Sequence, residues 1–508
     1  MPVKESNTQW LLLTAVFVIA TCGLIYELVA GTLASYLLGD SITQFSTIIG
    51  VYLFSMGIGS YLSKFFNRGL LAWFIKIELL VGVIGGFSAA LLFVCFPLAA
   101  SFRIILYTLV CLTGTLVGLE IPLLMRILKD KVEFKDLVSR VFTFDYIGAL
   151  LASLIFPLLL VPYLGLIRTS LFFGILNVAV GWYLAYSFKK EIRQAAGLQF
   201  TAITLILLQL AAFVFSENIM SYSETLIYND KIIYTKASPY QRMVLTRNKR
   251  ELRLFLNGNL QFSSADEYRY HEALVHPALS SVENLQRVLV LGGGDGLAVR
   301  EVLKYPSVQK VVLVDLDPAM TKIFSSQDVL IELNQRSLLN RKVEIHNEDA
   351  FMWLRNNRQQ FDAVIADFPD PSNFSIGKLY SSSFYRLLKN AMGKNAIAVI
   401  QSTSPYVAPK SFWCIDTTIQ SAGLLTKAYH NMVPSFGEWG YIMAMHTNEH
   451  PWFSNIPKGM KFLNMGTIQQ MFIFPEDMKV HQPLLINKLN NQALVNYFEE
   501  EWDKYLDM

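Results

Sequence analysis

The sequence predicts a helical part made of long apolar segments, followed by an α/β part with a mostly parallel sheet. Apolar residues form 53% of the 508 positions and charged residues only 16%, whereas soluble proteins average about 45–50% and about 25%. The charges are unevenly distributed, because residues 1–216 hold 14 Lys and Arg and 10 Asp and Glu, and the rest hold 29 and 30. After residue 287, short apolar strands alternate with amphipathic helical segments. These observations separate a charge-poor helical part from an α/β part of ordinary soluble composition.

Seven apolar segments in the first part are long enough to cross a bilayer as helices, which takes about 20 residues. They are residues 10–38, 42–63, 70–96, 103–125, 141–162, 164–188 and 198–216. The first is too long for a signal peptide and leads directly into another apolar segment, so we expect it to be retained. Residues 1–216 are therefore predicted to form a multi-pass domain in the lipid bilayer of a cell membrane, such as a bacterial inner membrane.

The basic residues of this part lie in alternate loops, which bears on its orientation. They are Lys64 and Arg68, then Arg126, Lys129, Lys131, Lys135 and Arg140, then Lys189, Lys190 and Arg193. The positive-inside rule places these loops and the N-terminus in the cytoplasm. With seven spans, the second part would lie outside. Either one segment does not span, or the rule fails, or the second part works outside; we expect a miscounted segment.

Four acidic residues lie within the apolar segments: Glu27, Glu78, Glu120 and Asp145. Acids at membrane depth are costly and often functional. One interpretation is a pathway for a cationic substrate, and the other is hydrogen bonding between packed helices or a position near the membrane surface. Glu78 fits the second interpretation better because Lys76 is close by at a helix start, and for the other three both remain open.

Composition also excludes some functions for the second part. Its net charge is slightly negative, whereas nucleic-acid binding requires a basic face. The four cysteines of the chain form no CxxC pair, so neither a disulfide framework nor a zinc site is expected.

Two sheets are predicted in the second part. Residues 224–262 alternate apolar and polar positions, with turn signals at Asn229-Asp230 and Asn257-Gly258, which indicates a small antiparallel sheet within residues 217–283. Residues 284–508 are predicted to form a larger domain. Its short apolar strands, separated by helices, indicate a parallel sheet that is covered on both faces. Its strands are Arg287–Leu291, Val311–Asp315, Val343–His346, Ala363–Asp367 and Ala396–Gln401.

The first strand of this domain leads into the loop Gly292–Gly296. Consecutive glycines let a loop turn tightly and approach a ligand closely. Leu297 stands where the dinucleotide fingerprint requires glycine, and Asp295 would repel a pyrophosphate. The loop therefore suits a nucleoside with a cationic group better than it suits a dinucleotide.

Acidic residues follow the next two strands, where ligands of such sheets bind. Asp315 stands where an acid accepts hydrogen bonds from ribose hydroxyls, and Asp317 before Pro318 fits a helix N-cap. Asp349 could accept from an adenine amino group or cap the helix that starts at Ala350. Together these positions indicate an adenosine site in a Rossmann-like domain of the methyltransferase type.

The fourth strand ends in Asp367, and Asp370-Pro371 follows it. Two carboxylates in a site can bind a diammonium substrate and take a proton from one of its nitrogens. The alternative is a pair of turn-forming acids, which Asp-Pro sequences often are. The neighbouring adenosine site favours the functional interpretation.

At this point the chain resembles the polyamine aminopropyltransferases, the spermidine synthase family, over about residues 224–480. The family's signature segments occur in order: Tyr240-Gln241, Asp266-Glu267, Tyr270-His271-Glu272, Gly292–Gly296 with Arg300-Glu301, Asp315, Asp317, Asp349, Asp367, Asp370-Pro371, Val433–Phe436 and Phe474-Pro475. A preceding multi-span part is similar to the membrane-anchored branch of the family. The second-strand acid is usually Glu in the family, so Asp315 implies a looser ribose contact.

The resemblance implies an enzyme that transfers an aminopropyl group from decarboxylated S-adenosylmethionine to putrescine, giving spermidine and methylthioadenosine, without a metal or other cofactor. It implies donor contacts from Gln241, Asp295, Asp315, Asp349 and Ala350, and polyamine contacts from Tyr240, His271, Asp295 and Asp370. It makes Asp367 the proton acceptor. It also implies a possible homodimer.

Two other functions remain open from the residues. A methyltransferase shares the fold, but it must accept the carboxylate of ordinary S-adenosylmethionine, which Asp295 would repel. A membrane protein that only binds or transports polyamines is the third possibility, and the presence of Asp367, Asp370 and His271 argues against an inactive site.

Overall fold

A computed structural model describes residues 3–38, 41–98, 101–129, 134–228, 230–449 and 452–506. Lys131 and Asn229, which entered the sequence argument, lie outside these ranges. The chain divides into two compact units, Met1–Lys231 and Ile232–Met508. The first is a helical region of apolar helices, and the second carries a four-stranded and a seven-stranded sheet. The sequence predicted the helical region and two sheets, but only five strands of the larger one.

In the described residues of the first unit, seven long α-helices and one short α-helix are present. They are α1 (Val3–Leu38), α2 (Ser41–Leu62), α3 (Leu70–Cys95), α4 (Phe102–Leu128), α5 (Phe134–Ile155), α6 (Val161–Ser187), α7 (Ala195–Val214) and α8 (Ser216–Ile227). The seven long helices correspond to the seven predicted segments, with ends that differ by several residues. The sequence predicted that the alternation typical of the small sheet begins at residue 224. This start is wrong, because residues 224–227 belong to α8.

Six continuous helical stretches of the described chain have the length and apolar composition of a membrane span. One of them, Lys135–Ser187, is 53 residues long, and a straight helix of that length would measure about 80 Å at 1.5 Å per residue. It is interrupted at Gly165, whose φ of 71° and ψ of 176° are not helical. The break divides the stretch into α5 and most of α6, each long enough for one span.

Small residues allow the helices of this unit to pack closely. A Cβ on Gly59 of α2 would lie 2.0 Å from the carbonyl oxygen of Thr115, and one on Gly118 of α4 would lie 2.1 Å from that of Met56. Only glycine permits this approach, which is typical of helices packed in an apolar environment.

Contacts near the helix ends show which loops share an end of this unit. Arg126 at the end of α4 donates to the Ser63 carbonyl after α2, 2.8 Å away. Gln199 at the start of α7 donates to Ala185 near the end of α6, 3.1 Å away. Lys76 of α3 and Arg193 before α7 line one recess. The basic loops are therefore gathered at one end, and α7 ends at the other.

The four-stranded sheet is antiparallel in the order β1 (Lys231–Ala237), β2 (Arg242–Asn248), β3 (Glu251–Leu256) and β4 (Asn259–Ser263). The predicted turn at Asn257-Gly258 joins β3 and β4, with φ values of 50° and 85°. Two successive positive φ values characterise the tight hairpin turns that asparagine and glycine favour.

The seven-stranded sheet has the order β10-β11-β9-β8-β5-β6-β7. Its strands are β5 (Arg287–Gly292), β6 (Lys310–Asp315), β7 (Val343–Asn347), β8 (Phe361–Asp367), β9 (Met392–Gln401), β10 (Leu425–Val433) and β11 (Gly437–Met445). The five predicted strands, β5 to β9, are parallel, and β10 and β11 add an antiparallel edge. The chain order reverses beside β5, where such sheets bind ligands.

Helices cover both faces of this sheet, so its central strands are buried on both sides. The helices of the second unit are α9 (Glu267–Leu279), α10 (Leu297–Val302), α11 (Pro318–Ser326), α12 (Asp328–Leu333), α13 (Ala350–Asn356), α14 (Phe374–Gly377), α15 (Ser382–Ala391), α16 (Pro409–Ser421), α17 (Met465–Met471) and α18 (Ala493–Leu506). Alternate residues of β5 belong to different core clusters, with Val288 and Val290 on one face and Leu289 and Leu291 on the other.

Candidate active site

The glycine loop after β5 passes directly against the end of β8. Gly292 pairs with Asp367 in the parallel ladder and has a φ of 79°. A Cβ at this position would lie 2.1 Å from the Asp367 carbonyl oxygen, so no side chain fits. The glycine therefore lets the loop and the Asp367 carboxyl share one small volume, as the sequence predicted from their positions at strand ends.

Tyr270 of α9 holds the Asp367 side chain. Its hydroxyl donates a hydrogen bond to Asp367 Oδ1 over 2.5 Å. Burial raises the pKa of Asp367, and the positive charge of His271 and the bond from Tyr270 only partly offset it. From the sequence, Tyr270 was recognised only as part of a family signature segment, and no role was predicted for it. An aromatic residue next to a predicted polyamine ligand was the only signal available.

His271 and Asp295 lie beside this pair. The Asp295 carboxyl accepts from the backbone N–H of Leu297 at 2.9 Å and remains partly exposed. Burial raises its pKa to about 6, with His271 lowering it and Asp367 raising it. Burial disfavours protonation of His271, but its contacts with carboxylates outweigh burial and raise its pKa. The structure thus brings His271, Asp295 and Asp367 together, and their binding of a cationic ligand stays a prediction.

A buried ion-pair network orients His271. Glu267 Oε2 lies 2.8 Å from His271 Nδ1, and both Glu267 oxygens accept from Arg300 at 2.9 Å. Arg300 Nε donates to Glu301, and Glu301 lies 2.8 Å from His276 Nε2. Burial would raise the pKa of Glu267, but His271 and Arg300 hold it at about 2. Because Glu267 accepts from Nδ1, this network does not engage the Nε2 atom of His271.

We expect Glu267→Gln to lower the free energy of unfolding of this unit by about 1.5–3 kcal/mol, the usual range for hydrogen bonds to charged groups. Because the pKa of Glu267 is lower in the folded protein, its ionised carboxylate stabilises the fold at pH values above the ordinary pKa of 4.5. This stabilisation is lost as the pH falls towards 2. The difference from the unchanged protein should therefore be full at pH 6 and shrink below about 4.5. Urea unfolding of the full chain in detergent, followed by pulse proteolysis, measures it. The exposed Glu283→Gln serves as control, and an equal loss in both would contradict the network's role.

The predicted ribose acid, Asp315, is tied to the glycine loop. Its Oδ2 accepts from Gly294 N at 3.0 Å and its Oδ1 from Asp317 N at 2.9 Å. Burial raises its pKa to about 6 against these two bonds. Asp317 caps α11 through Ala319 N at 2.9 Å, as expected, and also accepts from the Gln241 amide at 3.0 Å. Gln241 therefore reaches the loop edge through Asp317, a connection that the sequence did not indicate.

Asp349 is engaged mainly in structural contacts. Its side chain caps α13 by accepting from Met352 N at 3.0 Å, and it pairs with Lys378 at 2.6 Å. Burial would raise its pKa, but Lys378 and the helix amides lower it. The capping role that the sequence left open is thus present. Ala350 is buried as the first residue of α13.

Asp370 and Tyr240 differ in their surroundings. Gln401 donates to Asp370 Oδ1 at 2.8 Å and accepts from the Tyr380 hydroxyl at 2.9 Å. Burial raises the pKa of Asp370 to about 6, partly offset by Gln401 and Thr403. Tyr240 lies in the turn before β2 with half of its surface exposed. The structure therefore places Asp370 in a hydrogen-bonded network and does not bring Tyr240 into it.

Comparison with known proteins assigns the family. A model of the spermine/spermidine synthase domain matches residues 267–455. The polyamine aminopropyltransferase of Leptospira interrogans is 51% identical over 98% of this chain and 100% of its own. Polyamine aminopropyltransferases 1 and 2 of Ralstonia nicotianae are 53% and 54% identical, over 99% and 97% of this chain and 96% and 98% of their own. These matches include the helical unit. The chain belongs to the polyamine aminopropyltransferase family.

Proposed function

We propose that the protein transfers the aminopropyl group of decarboxylated S-adenosylmethionine to putrescine, which yields spermidine and methylthioadenosine. The observation that carries the proposal is the group formed by Asp295, Asp367 and His271 at the carboxyl ends of β5 and β8. Two carboxyls in one volume suit a cationic donor and a cationic acceptor. Asp370 follows on the same side of the sheet. The names of the relatives supply the same reaction class.

The donor would lie along the loop between β5 and β6. Asp315 keeps unused lone pairs after its two backbone bonds, and these would accept from the ribose hydroxyls. Gln241 would contact the thioadenosine part, and Asp349 with Ala350 would flank the adenine. Asp295 would bind the aminopropyl ammonium, and it would repel the carboxylate that ordinary S-adenosylmethionine carries at that position.

The acceptor amine must lose a proton before it can attack. Amines are mostly protonated at neutral pH, with an ordinary pKa of about 10.4. The Asp367 carboxylate would take a proton from the attacking nitrogen, whose lone pair then forms the new C–N bond. The C–S bond breaks, and its electron pair stays on sulfur, so the sulfonium leaves as a neutral thioether. Because the donor is already activated, the reaction requires no metal and no covalent enzyme intermediate.

The remaining residues would position the acceptor. His271 and Asp370 would contact putrescine, together with Tyr240 if its ring moves towards the site. Placing the nitrogen in line with the C–S bond supplies much of the acceleration, since oriented intramolecular reactions reach effective concentrations of about 10⁵–10⁸ M.

We expect Tyr270→Phe to move the acidic limb of the pH–rate profile to higher pH. The Tyr270 hydrogen bond lowers the pKa of Asp367, so its removal raises that pKa, and a base must be unprotonated to act. Values of kcat/KM measured across pH 5–9 test this. Tyr429→Phe is a matched control, because its buried hydroxyl donates to the Ala273 carbonyl at 2.9 Å instead. An acidic limb that stays in place, or one that moves equally in both variants, would argue against Asp367 as the titrating base.

The reaction itself is tested on purified full-length protein in detergent. Decarboxylated S-adenosylmethionine is supplied with putrescine, spermidine or cadaverine in turn, and methylthioadenosine release is measured. Release that depends on putrescine is expected. If methylthioadenosine were released only with another amine, that amine would be assigned as the acceptor. Methyl transfer from ordinary S-adenosylmethionine would identify the protein as a methyltransferase. The absence of both reactions would leave polyamine binding or transport.

We further propose three parts: a membrane domain at 1–216, a small β subdomain at 217–283 and a catalytic domain at 284–508, anchored in a cell membrane. The length and apolar character of the long helices support the anchor. If all seven span and the basic end faces the cytoplasm, the catalytic domain lies outside, although its donor is expected in the cytoplasm. Protease accessibility of a C-terminal tag in intact cells decides this, because external cleavage would exclude a cytoplasmic catalytic domain. A homodimer is tested by light scattering.

A further inference from the structure

The helical unit contains a cavity of about 170 Å³ between its helices. One water molecule requires a volume of only about 15 Å³, so the cavity can hold a larger ligand. Its polar wall consists of one side chain from each of four helices: Glu27 (α1), Tyr52 (α2), Glu120 (α4) and Asp145 (α5). In the sequence, Glu27 lies 93 positions before Glu120 and still further before Asp145. Apolar residues, among them Phe74, form the rest of the wall.

Contacts within the protein leave part of this polar wall unsatisfied. Glu120 is only 3% exposed, and its Oε1 has no hydrogen-bond partner. The Tyr52 hydroxyl, by contrast, is satisfied, since it donates to the Gly23 carbonyl at 2.8 Å. A buried polar atom without a partner costs about 1–3 kcal/mol. The Glu120 side chain lines the cavity, and its carboxyl keeps hydrogen-bonding capacity that the protein itself does not use.

The lining identifies the class of ligand. Three carboxyls line the cavity, and none of its described lining residues is basic, so the lining suits a cation and disfavours an anion. Among the described residues, no group of three or more His, Cys, Asp and Glu side chains is arranged to hold a metal ion. The three acids stand on three different helices, α1, α4 and α5, an arrangement that can serve more than one positive charge. The apolar wall suits methylene groups between those charges.

We propose that this cavity binds a linear alkyl diammonium or polyammonium ion, at a site separate from the catalytic unit. Its ammonium groups pair with Glu120 and with Glu27 or Asp145, and its methylene chain lies against the apolar wall. The choice of putrescine and spermidine as probes rests on the proposed function. The geometry of the cavity does not depend on that function. The helical unit would then hold the same class of molecule that the catalytic unit consumes and produces.

The test measures binding of radiolabelled putrescine and spermidine to the full-length protein in detergent by equilibrium dialysis. Asp370→Asn is present in every sample to weaken the acceptor site. Adding Glu120→Gln should reduce the affinity of the remaining saturable site at least tenfold, the loss expected for one charge-assisted hydrogen bond. The matched control is Glu78→Gln. Glu78 is an equally buried acid of the same unit that does not line the cavity and accepts from Asn177 at 3.0 Å.

An affinity that is unchanged by Glu120→Gln, or reduced equally by Glu78→Gln, would overturn the proposal. The absence of saturable binding would also overturn it. So would a result in which sodium ions, added as sodium chloride at the same concentration of positive charge, displace labelled putrescine as well as unlabelled putrescine does. If Glu120→Gln does not yield monodisperse protein, Asp145→Asn tests the same wall with the same expected loss. Failure of the catalytic proposal would show itself separately, as a lack of methylthioadenosine release, and would leave this comparison of variants intact.

Discussion

Replacement of Asp367 by asparagine should lower kcat for methylthioadenosine release by roughly 10²–10⁴-fold, the usual contribution of a positioned general base. Asparagine has nearly the same shape, and its carbonyl can still accept the hydrogen bond that Tyr270 donates at 2.5 Å. The loop contact at Gly292 involves the Asp367 backbone and is not changed. The variant therefore removes the proton acceptor while it keeps the geometry of the strand end.

Single-turnover measurements at saturating putrescine separate this loss from a loss of binding. We expect kcat to fall while the affinity for the donor stays within a few-fold. Asp416→Asn is a suitable control, because Asp416 is also a buried carboxyl of this unit and accepts from Gln420 at 2.7 Å. If the Asp367→Asn variant kept more than a tenth of the activity, the general base would be another group. Asp295 and Asp370 would then be the next candidates.

Replacement of Asp295 by asparagine should change which donor the protein prefers. A charge-assisted hydrogen bond to the aminopropyl ammonium contributes about 1.5–3 kcal/mol, so kcat/KM for decarboxylated S-adenosylmethionine should fall roughly tenfold to a hundredfold. Ordinary S-adenosylmethionine should at the same time become a stronger competitive inhibitor, because its carboxylate no longer meets a negative charge. Asparagine retains a carbonyl for the Leu297 amide that Asp295 binds at 2.9 Å.

The opposite directions of these two effects make the measurement specific. Inhibition constants for ordinary S-adenosylmethionine are compared with KM for the decarboxylated donor, with the exposed Asp328→Asn of α12 as control. A general loosening of the loop would weaken both molecules alike. That result would assign Asp295 to loop structure and remove it from donor selection.

Much of the site was predictable because parallel strands impose a simple geometry. Short apolar segments marked β5 to β9, and their carboxyl ends must meet at one edge of the sheet. Asp315 and Asp367 were thereby placed near the glycine loop from their sequence positions alone. The antiparallel edge was missed. Leu425–Val433 mixes polar and apolar residues, although the apolar run Tyr441–Met445 was a usable signal for β11.

The sequence by itself determined the class of the long apolar helices and of strands β5 to β9, because helix and strand follow from local periodicity and length. It also predicted the chemistry at the strand ends, because the acids and glycines occur in family order. Only the tertiary structure decided which side chains meet. Tyr270 and Asp367 are 97 positions apart, and Glu267 and Arg300 are 33 apart. Periodicity shows that such a residue points inward, but it does not identify the partner on another element.

The acids of the helical unit illustrate the same division. Their position in apolar segments left both a cation pathway and simple packing open. Packing then placed Glu78 against Asn177 and placed Glu27, Glu120 and Asp145 around one cavity. The physical reason is that an apolar segment fixes a helix but not its rotation about its own axis. That rotation is set by close contacts such as those at Gly59 and Gly118, and it determines which acids share a space.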